Sequence, residues 1–258
     1  MKTITIIIFF IILTLPLQAQ SSTVPVLVPQ VRNVYPHDAG AFTQGLIWED
    51  GFLYESTGLW GESTLRRVDL DSGESQEVMA LADDYFAEGL ERVGDQLIQL
   101  TWRAGLAFVY DYPSLQRAFT LEYEGEGWGL CYDDRYLFMS DGTSFLSVRD
   151  PLTFELIFRG AVTLDGRIIP PQLLNELECV GDHIYGNAWN TDYIFQIDKS
   201  TGEITALIDA SALLTDAERA ELSSGSVLNG IAWNPESETF YITGKNWPKL
   251  FEVIFASP

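Results

Sequence analysis

Histidine and cysteine are almost missing, with two of each in 258 residues. His37 and His183 are too few for a histidine-rich zinc site, and a Ser-His-Asp triad would have to use one of them. Cys131 and Cys179 allow at most one disulfide, so the fold does not rest on a disulfide framework. They stand one and two residues after the leucines of a repeat described below. On a pleated strand that turns them to opposite faces, and a bridge between neighbouring repeats is not expected. No C-x-x-C, H-E-x-x-H, G-x-S-x-G or G-x-G-x-x-G lies where its chemistry needs it. Positive charge is scarce as well: 15 Lys and Arg against 37 Asp and Glu leave a formal charge of −22. A phosphate backbone would be repelled, which argues against nucleic acid as a partner. The acidic surface is read first as solubility and only second as an attraction for cationic ligands.

Long apolar runs are absent except for Ile4 to Leu17, with Lys2 the only charge before it. That run is short for a bilayer span, and Leu17-Gln18-Ala19 ends it on a small residue, so residues 1–19 read as a secretory signal peptide. Residues 20–258 are then expected to form one exported domain, periplasmic or extracellular, with no stable membrane association after cleavage. Loss of Lys2 takes the charge from −22 to −23.

Five echoes of one triplet organise that domain. Gln44-Gly45-Leu46, Glu88-Gly89-Leu90, Trp128-Gly129-Leu130, Asn175-Glu176-Leu177 and Asn229-Gly230-Ile231 are each followed by an apolar pair beginning at Leu53, Leu97, Leu137, Ile184 and Phe240. In the first copy, Leu46–Trp48, Phe52–Ser56, Thr64–Asp69 and Glu77–Ala82 read as strands separated by Asp50-Gly51, Gly58–Gly61 and Asp71-Ser72-Gly73. Copies two to four keep that order, with third strands at Ala107–Asp111, Phe145–Asp150 and Tyr193–Asp198. Four antiparallel strands per repeat of roughly 40–50 residues mark the blades of an all-β, five-bladed propeller. The fifth copy has three strands, ending with Leu250–Phe255, and Val24–Val34 can supply the fourth, so pairing of the chain ends closes the ring. Two insertions interrupt the pattern: Arg159–Leu174 reads as a loop, and Asp209–Ser226 as a short helical segment between blades four and five, with Thr215 and Glu218 forming a capping box.

In a propeller the first strand of every blade lines the central channel, so the residues before the repeat glycines should meet at one mouth. These are Gln44, Glu88, Trp128, Asn175 and Asn229. At the end of the second strand come Gly58, Trp102, Gly142, Trp189 and Lys245, and two positions before Gln44 and Glu88 stand Phe42 and Phe86. One mouth thus gathers a carboxylate, an ammonium, three amides and three indoles.

H-D-A-G-A-F-T-Q-G-L from His37, L-N-E-L-E with G-N-A-W-N-T-D, and L-N-G-I-A-W with T-G-K-N-W-P closely resemble the plant-type and bacterial glutaminyl-peptide cyclotransferases over about Val31–Val253. The resemblance implies a five-bladed propeller, unrelated to the zinc-dependent animal cyclases. It implies conversion of an N-terminal glutamine of peptides or proteins to pyroglutamate with release of ammonia. The residues themselves call for no cofactor or metal, and a closed ring with an acidic rim needs no partner, so a monomer is expected. The resemblance places the catalytic glutamate on Glu88 and the substrate contacts on Phe42, Gln44, Phe86, Trp102, Trp128, Asn175, Trp189 and Lys245. Ala39 departs from the proline that many relatives carry after the His-Asp pair, which bears on loop rigidity.

The residue types suit that reaction independently. A carboxylate in an aromatic setting, its pKa raised by desolvation, can take a proton from the attacking amine and hand it to the departing nitrogen. Indole walls curl a flexible side chain toward attack geometry, and Lys245, with Gln44 or Asn175, can donate to the developing oxyanion. Each indole can also be plain core packing, and Glu88 with Lys245 a structural ion pair. His37-Asp38 reads as a loop tether rather than an acid-base pair, Asn229 as a strand cap, and Glu176 and Glu178 as hydrogen-bonded within the ring. Two other classes stay open. Glu88, Asn175 and Asn229 imitate the Glu and Asn set of calcium-dependent propeller lactonases, although the Lys245 ammonium would oppose the ion. A noncatalytic binding module would use the same mouth as a recognition cup.

Overall fold

Turn chemistry sets where the strands stop, as at Asp50-Gly51, where both residues adopt the left-handed region (φ 49° and 86°) that a tight hairpin needs. The computed structural model describes residues 24–258, so the expected signal peptide at 1–19 and a terminus at Gln20 lie outside the described residues. The first described strand is β1 (Val26–Pro36). Blade one is β2 (Thr43–Glu49), β3 (Phe52–Thr57), β4 (Thr64–Val68) and β5 (Ser75–Ala80). Blade two is β6 (Ala87–Val93), β7 (Gln96–Thr101), β8 (Leu106–Asp111) and β9 (Gln116–Glu122). Blade three is β10 (Leu130–Tyr132), β11 (Leu137–Met139), β12 (Phe145–Arg149) and β13 (Leu156–Ala161). A hairpin of β14 (Thr163–Leu164) and β15 (Arg167–Ile168) leads to blade four: β16 (Leu174–Val180), β17 (His183–Ala188), β18 (Tyr193–Asp198) and β19 (Ile204–Asp209). Helix α1 (Asp216–Glu221) precedes β20 (Leu228–Asn234), β21 (Thr239–Gly244) and β22 (Lys249–Ala256) of blade five.

The fourth strand of blade five is β1, antiparallel to β22 from Val28–Ala256 to Pro36–Lys249. The expected closure by the chain ends therefore holds. Two further parallel pairs, Val26–Leu207 and Leu27–Ile208, join β1 to β19, so blades four and five share one eight-stranded sheet. Apolar residues of consecutive blades form one cluster at each of the five interfaces, from Leu46 against Tyr241 and Leu250 round to Ile194 against Ile231 and Phe251.

The inner strands β2, β6, β10, β16 and β20 neighbour one another round the axis. They approach so closely that the repeat glycine is a spatial requirement. A Cβ on Gly45 would lie 2.4 Å from the Leu90 nitrogen, one on Gly89 2.7 Å from the Leu130 nitrogen, and one on Gly129 2.2 Å from the Asn175 oxygen. Blade four has Glu176 instead, and its carboxylate reaches across to accept the Ile231 N–H at 2.9 Å. Glu91 accepts the Tyr132 N–H at 2.8 Å, and Glu178 accepts from the Trp233 backbone. These glutamates serve the unpaired inner edges, the structural role expected of Glu176 and Glu178. Burial pushes all three upward in pKa.

Three expectations are corrected. Arg159–Leu174 is not a plain loop: Arg159–Ala161 completes β13, and a two-stranded hairpin turns at Asp165-Gly166. The helix within Asp209–Ser226 is only six residues, although its Thr215/Glu218 capping box is present. Cys131 and Cys179 are bridged, with Cα atoms 5.4 Å apart. Strand parity within one blade does not decide this pairing. Successive blades pack front face against back face, so residues on opposite faces of their own strands are the ones that meet across an interface. The bridge closes a loop of 48 residues, which by chain entropy stabilises by up to about 4 kcal/mol. A Cys131→Ala/Cys179→Ala double variant should lose roughly 2–4 kcal/mol in urea unfolding, and thiol titration of the unreduced, unfolded parent should find no free sulfhydryl.

Candidate active site

The ladder between first and second strands slips by one residue at the channel mouth in four blades, between Thr43 and Gly45, Ala87 and Leu90, Leu174 and Leu177, and Leu228 and Ile231. Such bulges re-aim a side chain out of the ladder, and Gln44, Glu88, Asn175 and Asn229 occupy them. A second shared feature pins the ends of the second strands. The N–H groups of Gly58, Trp102, Trp189 and Lys245 donate to the carbonyls of Phe42, Phe86, Leu173 and Val227, at 2.7–2.9 Å. The two glycines at this level are explained by their neighbours: a Cβ on Gly58 would strike the Phe86 ring at 2.4 Å, and one on Gly142 the Trp128 ring at 2.5 Å.

Nine of the twelve residues expected at the mouth line one cavity of about 330 Å³, and they include every expected catalytic and substrate contact: Phe42, Gln44, Phe86, Glu88, Trp102, Trp128, Asn175, Trp189 and Lys245. Asn229 is the exception among the converging amides. It is fully buried beneath the cavity, and its Nδ2 donates to the Thr43 carbonyl (2.9 Å) and to Gln44 Oε1 (3.3 Å). That leaves Gln44 Nε2 facing Glu88, to whose Oε1 it donates at 3.0 Å. Aromatic rings form the walls edge to face: Phe42 on Phe86 at 6.2 Å, Phe86 on Trp102 at 5.5 Å, and Trp128 on Trp189 at 5.4 Å. The Lys245 ammonium lies 4.8 Å from the Phe42 centroid, within cation–π range.

His37 and Asp38 stand outside this cavity, as a tether. His37 Nδ1 is 2.7 Å from the Trp247 carbonyl and Nε2 is 3.0 Å from Glu55. Arg66 binds Glu55 and Asp38 together, each at 2.8 Å. Burial works against the Glu55 charge, but His37 and Arg66 overcome it and hold Glu55 at about 2. The network fastens the turn bearing Lys245 to the start of blade one, and Asn246 Nδ2 donates to the Ala39 carbonyl at 3.2 Å, so the loop is held where proline is absent.

Glu126 was missed. Its Oε2 accepts both Trp102 Nε1 (2.8 Å) and Trp128 Nε1 (3.0 Å), and Oε1 accepts from Arg103 Nε (2.9 Å). It stands two positions before Trp128, as Phe42 and Phe86 stand before Gln44 and Glu88, so the same alternation would have found it. Asn190 and Gly225 also line the cavity. Gly225 belongs to the insertion before blade five and carries no repeat signal.

The family model for glutamine cyclotransferase matches residues 4–255. The chain belongs to that family. A glutaminyl-peptide cyclotransferase of Arabidopsis thaliana is 38% identical over 230 residues, spanning 87% of this chain and 70% of its own length. The crystal structure of Myxococcus xanthus glutaminyl cyclase superimposes with a TM-score of 0.83 at 42% identity, covering 90% of this chain and 98% of that one.

In this member of the glutamine cyclotransferase family the cavity is electrostatically tense. Glu88 is 4% exposed, and its Oε2 has no hydrogen-bond partner among the described residues. Burial drives its pKa well above the ordinary 4.5, Glu126 adds to the rise, and Lys245 opposes it. Burial also lowers Lys245 to about 8, with Glu88 pulling the other way. Because the folded pKa of Glu88 is raised, the folded chain keeps a proton that the unfolded chain releases above pH 4.5, and stability is lost as pH climbs from there toward the folded value. Glu88→Gln removes this dependence. Chemical denaturation should find the variant level with the parent near pH 4 and increasingly more stable above it, by up to about 1.4 kcal/mol per pH unit crossed.

Proposed function

We propose that this cavity closes the N-terminal glutamine of a peptide or protein onto itself, forming pyroglutamate and releasing ammonia, with Glu88 as the proton carrier. The observation that carries the reading is a pair of buried acceptors without partners among the described residues, Glu88 Oε2 and Asn175 Oδ1, in a cavity that also contains one ammonium. A buried orphan acceptor is costly unless a ligand supplies the donor. A terminal glutaminyl residue has donors on its α-nitrogen and γ-amide nitrogen, and a γ-oxygen for Lys245. About 330 Å³ is at the small end of ligand pockets and suits one residue of a chain rather than a long segment.

The α-nitrogen, neutral, attacks the γ-carbonyl carbon while ionised Glu88 takes one of its protons. Negative charge develops on the γ-oxygen, where the Lys245 ammonium stabilises it. Gln44 is committed to holding Glu88, so Asn175 is the remaining amide able to meet the substrate. As the bond from carbon to the amide nitrogen breaks, Glu88 returns the proton to that nitrogen, ammonia leaves, and the carboxylate is regenerated. The indoles of Trp102, Trp128 and Trp189 exclude water and restrict the side chain to the folded-back geometry, which supplies the entropic part of the acceleration. Phe42 and Phe86 close the wall beside Lys245. No step uses a metal, and the ammonium aimed at the mouth argues against an axial calcium and a lactonase reading.

We also read the protein as a single catalytic domain, exported and monomeric, in a periplasmic or extracellular space. The Cys131–Cys179 bridge fits an oxidising compartment.

Ammonia release from a Gln-initiated dipeptide is the direct assay, and silence there would favour a noncatalytic binding module. Glu88→Gln should retain the fold and lose nearly all activity; more than about a tenth of the parent rate would refute a proton carrier, whose removal normally costs 10²–10⁴-fold. Exhaustive chelation should leave the parent rate unchanged, and loss of activity would revive the calcium reading.

A further inference from the structure

Trp60 is the exposed member of seven tryptophans, with 53% of its surface open to solvent. The other six are buried or half-buried. Its indole is not stranded on the surface, because it meets the Phe86 ring edge to face at 5.8 Å. Phe86 in turn packs on Phe42 and Trp102, so Trp60 is the outermost ring of the aromatic wall, one ring beyond the cavity lining.

The turn that presents it is strained and firmly held. Leu59 adopts φ 92°, a left-handed conformation that a residue with a branched side chain rarely takes. Its carbonyl accepts from Ser63 Oγ at 2.7 Å and from the Glu62 N–H at 3.2 Å. Ser63 Oγ also accepts the Ala87 N–H at 3.0 Å, tying the turn to the residue beside Glu88. Strain kept in place by such ties is found where a side chain must be held for function.

We propose that Trp60 is a specificity-determining contact that receives the side chain of the substrate's second residue and favours a large apolar or aromatic one. The inference rests on the cyclase reading of the cavity and extends it outward. Once the first residue fills the cavity, the next Cα lies about 3.8 Å farther along the chain, which brings its side chain to the rim. An aromatic side chain there gains offset or edge-to-face contact with the indole. Glycine at that place gains nothing. An acidic residue meets the carboxylates of Glu62 and Asp83, both exposed beside the turn, and is disfavoured.

The experiment compares kcat/KM for Gln-Phe, Gln-Gly and Gln-Glu dipeptide amides, by ammonia release, in the parent, Trp60→Ala and Trp60→Phe. The parent should prefer Gln-Phe to Gln-Gly by about ten-fold, the range of one aromatic contact, with Gln-Glu the poorest. Trp60→Ala should abolish the preference for Gln-Phe through KM, leave Gln-Gly within about two-fold, and be rescued in large part by Trp60→Phe. An equal loss on Gln-Phe and Gln-Gly, which would mark Trp60 as support for Phe86 only, overturns the proposal, and so does an unchanged preference. Failure of the underlying reading is seen separately, as absence of ammonia from Gln-Gly with the parent enzyme.

Discussion

The close approach of five inner strands at the axis is the constraint from which the rest of this structure follows. Gly45, Gly89 and Gly129 are present because the backbone of the next blade occupies the space where a Cβ would stand. With the strands that close, the residues before these three glycines point into the mouth, and for Gln44 and Glu88 a bulge in the ladder releases the side chain to do so. Blade four shows the alternative solution, in which Glu176 replaces glycine and uses its carboxylate to satisfy a neighbouring N–H. The packing that closes the ring and the convergence that makes the site are therefore one arrangement.

The site is held by its surroundings at some cost to stability. Glu88 is buried with one oxygen unpaired, and Lys245 sits under an aromatic ring with its charge weakened by burial. Neither would persist without neighbours that fix it. Asn229 orients Gln44, and Gln44 orients Glu88. Glu126 clamps the edges of two indoles from the solvent side. The His37–Glu55–Arg66 network anchors the turn of Lys245 to blade one from behind. Residues from blades one, two, three and five thus act together on a group of a few atoms. Their precision comes from strand-held backbone rather than from loops.

Much of this was legible along the chain because a propeller repeats its local geometry. The interval between each triplet and the following apolar pair marks the blades, and repeat position together with strand alternation names nine of the eleven cavity residues without coordinates. Where the reading failed, the missing information was the relation between blades. Strand parity within a blade separates Cys131 from Cys179, whereas their pairing depends on how one blade faces the next. Asn229 shares its repeat position with Gln44 and Glu88, but crowding beneath Gln44 turns it into a support. The alternation that places Phe42 and Phe86 reaches Glu126 too, but its hold on two indoles of different blades exists only once those blades have packed.

What the amino-acid order alone determined was periodic: five four-stranded units, the strand borrowed from the N-terminal side to complete the last one, and the ring of positions that face the axis. Period, alternation and turn residues are local properties, so they are written in consecutive residues. Tertiary structure alone decided which cavity oxygens are left without a partner among the described residues, which glutamates serve as caps for inner-strand N–H groups, and that blades four and five merge through β1. Those outcomes depend on distances between segments tens to hundreds of residues apart, and burial changes the charge and partners of a side chain only after the blades have packed.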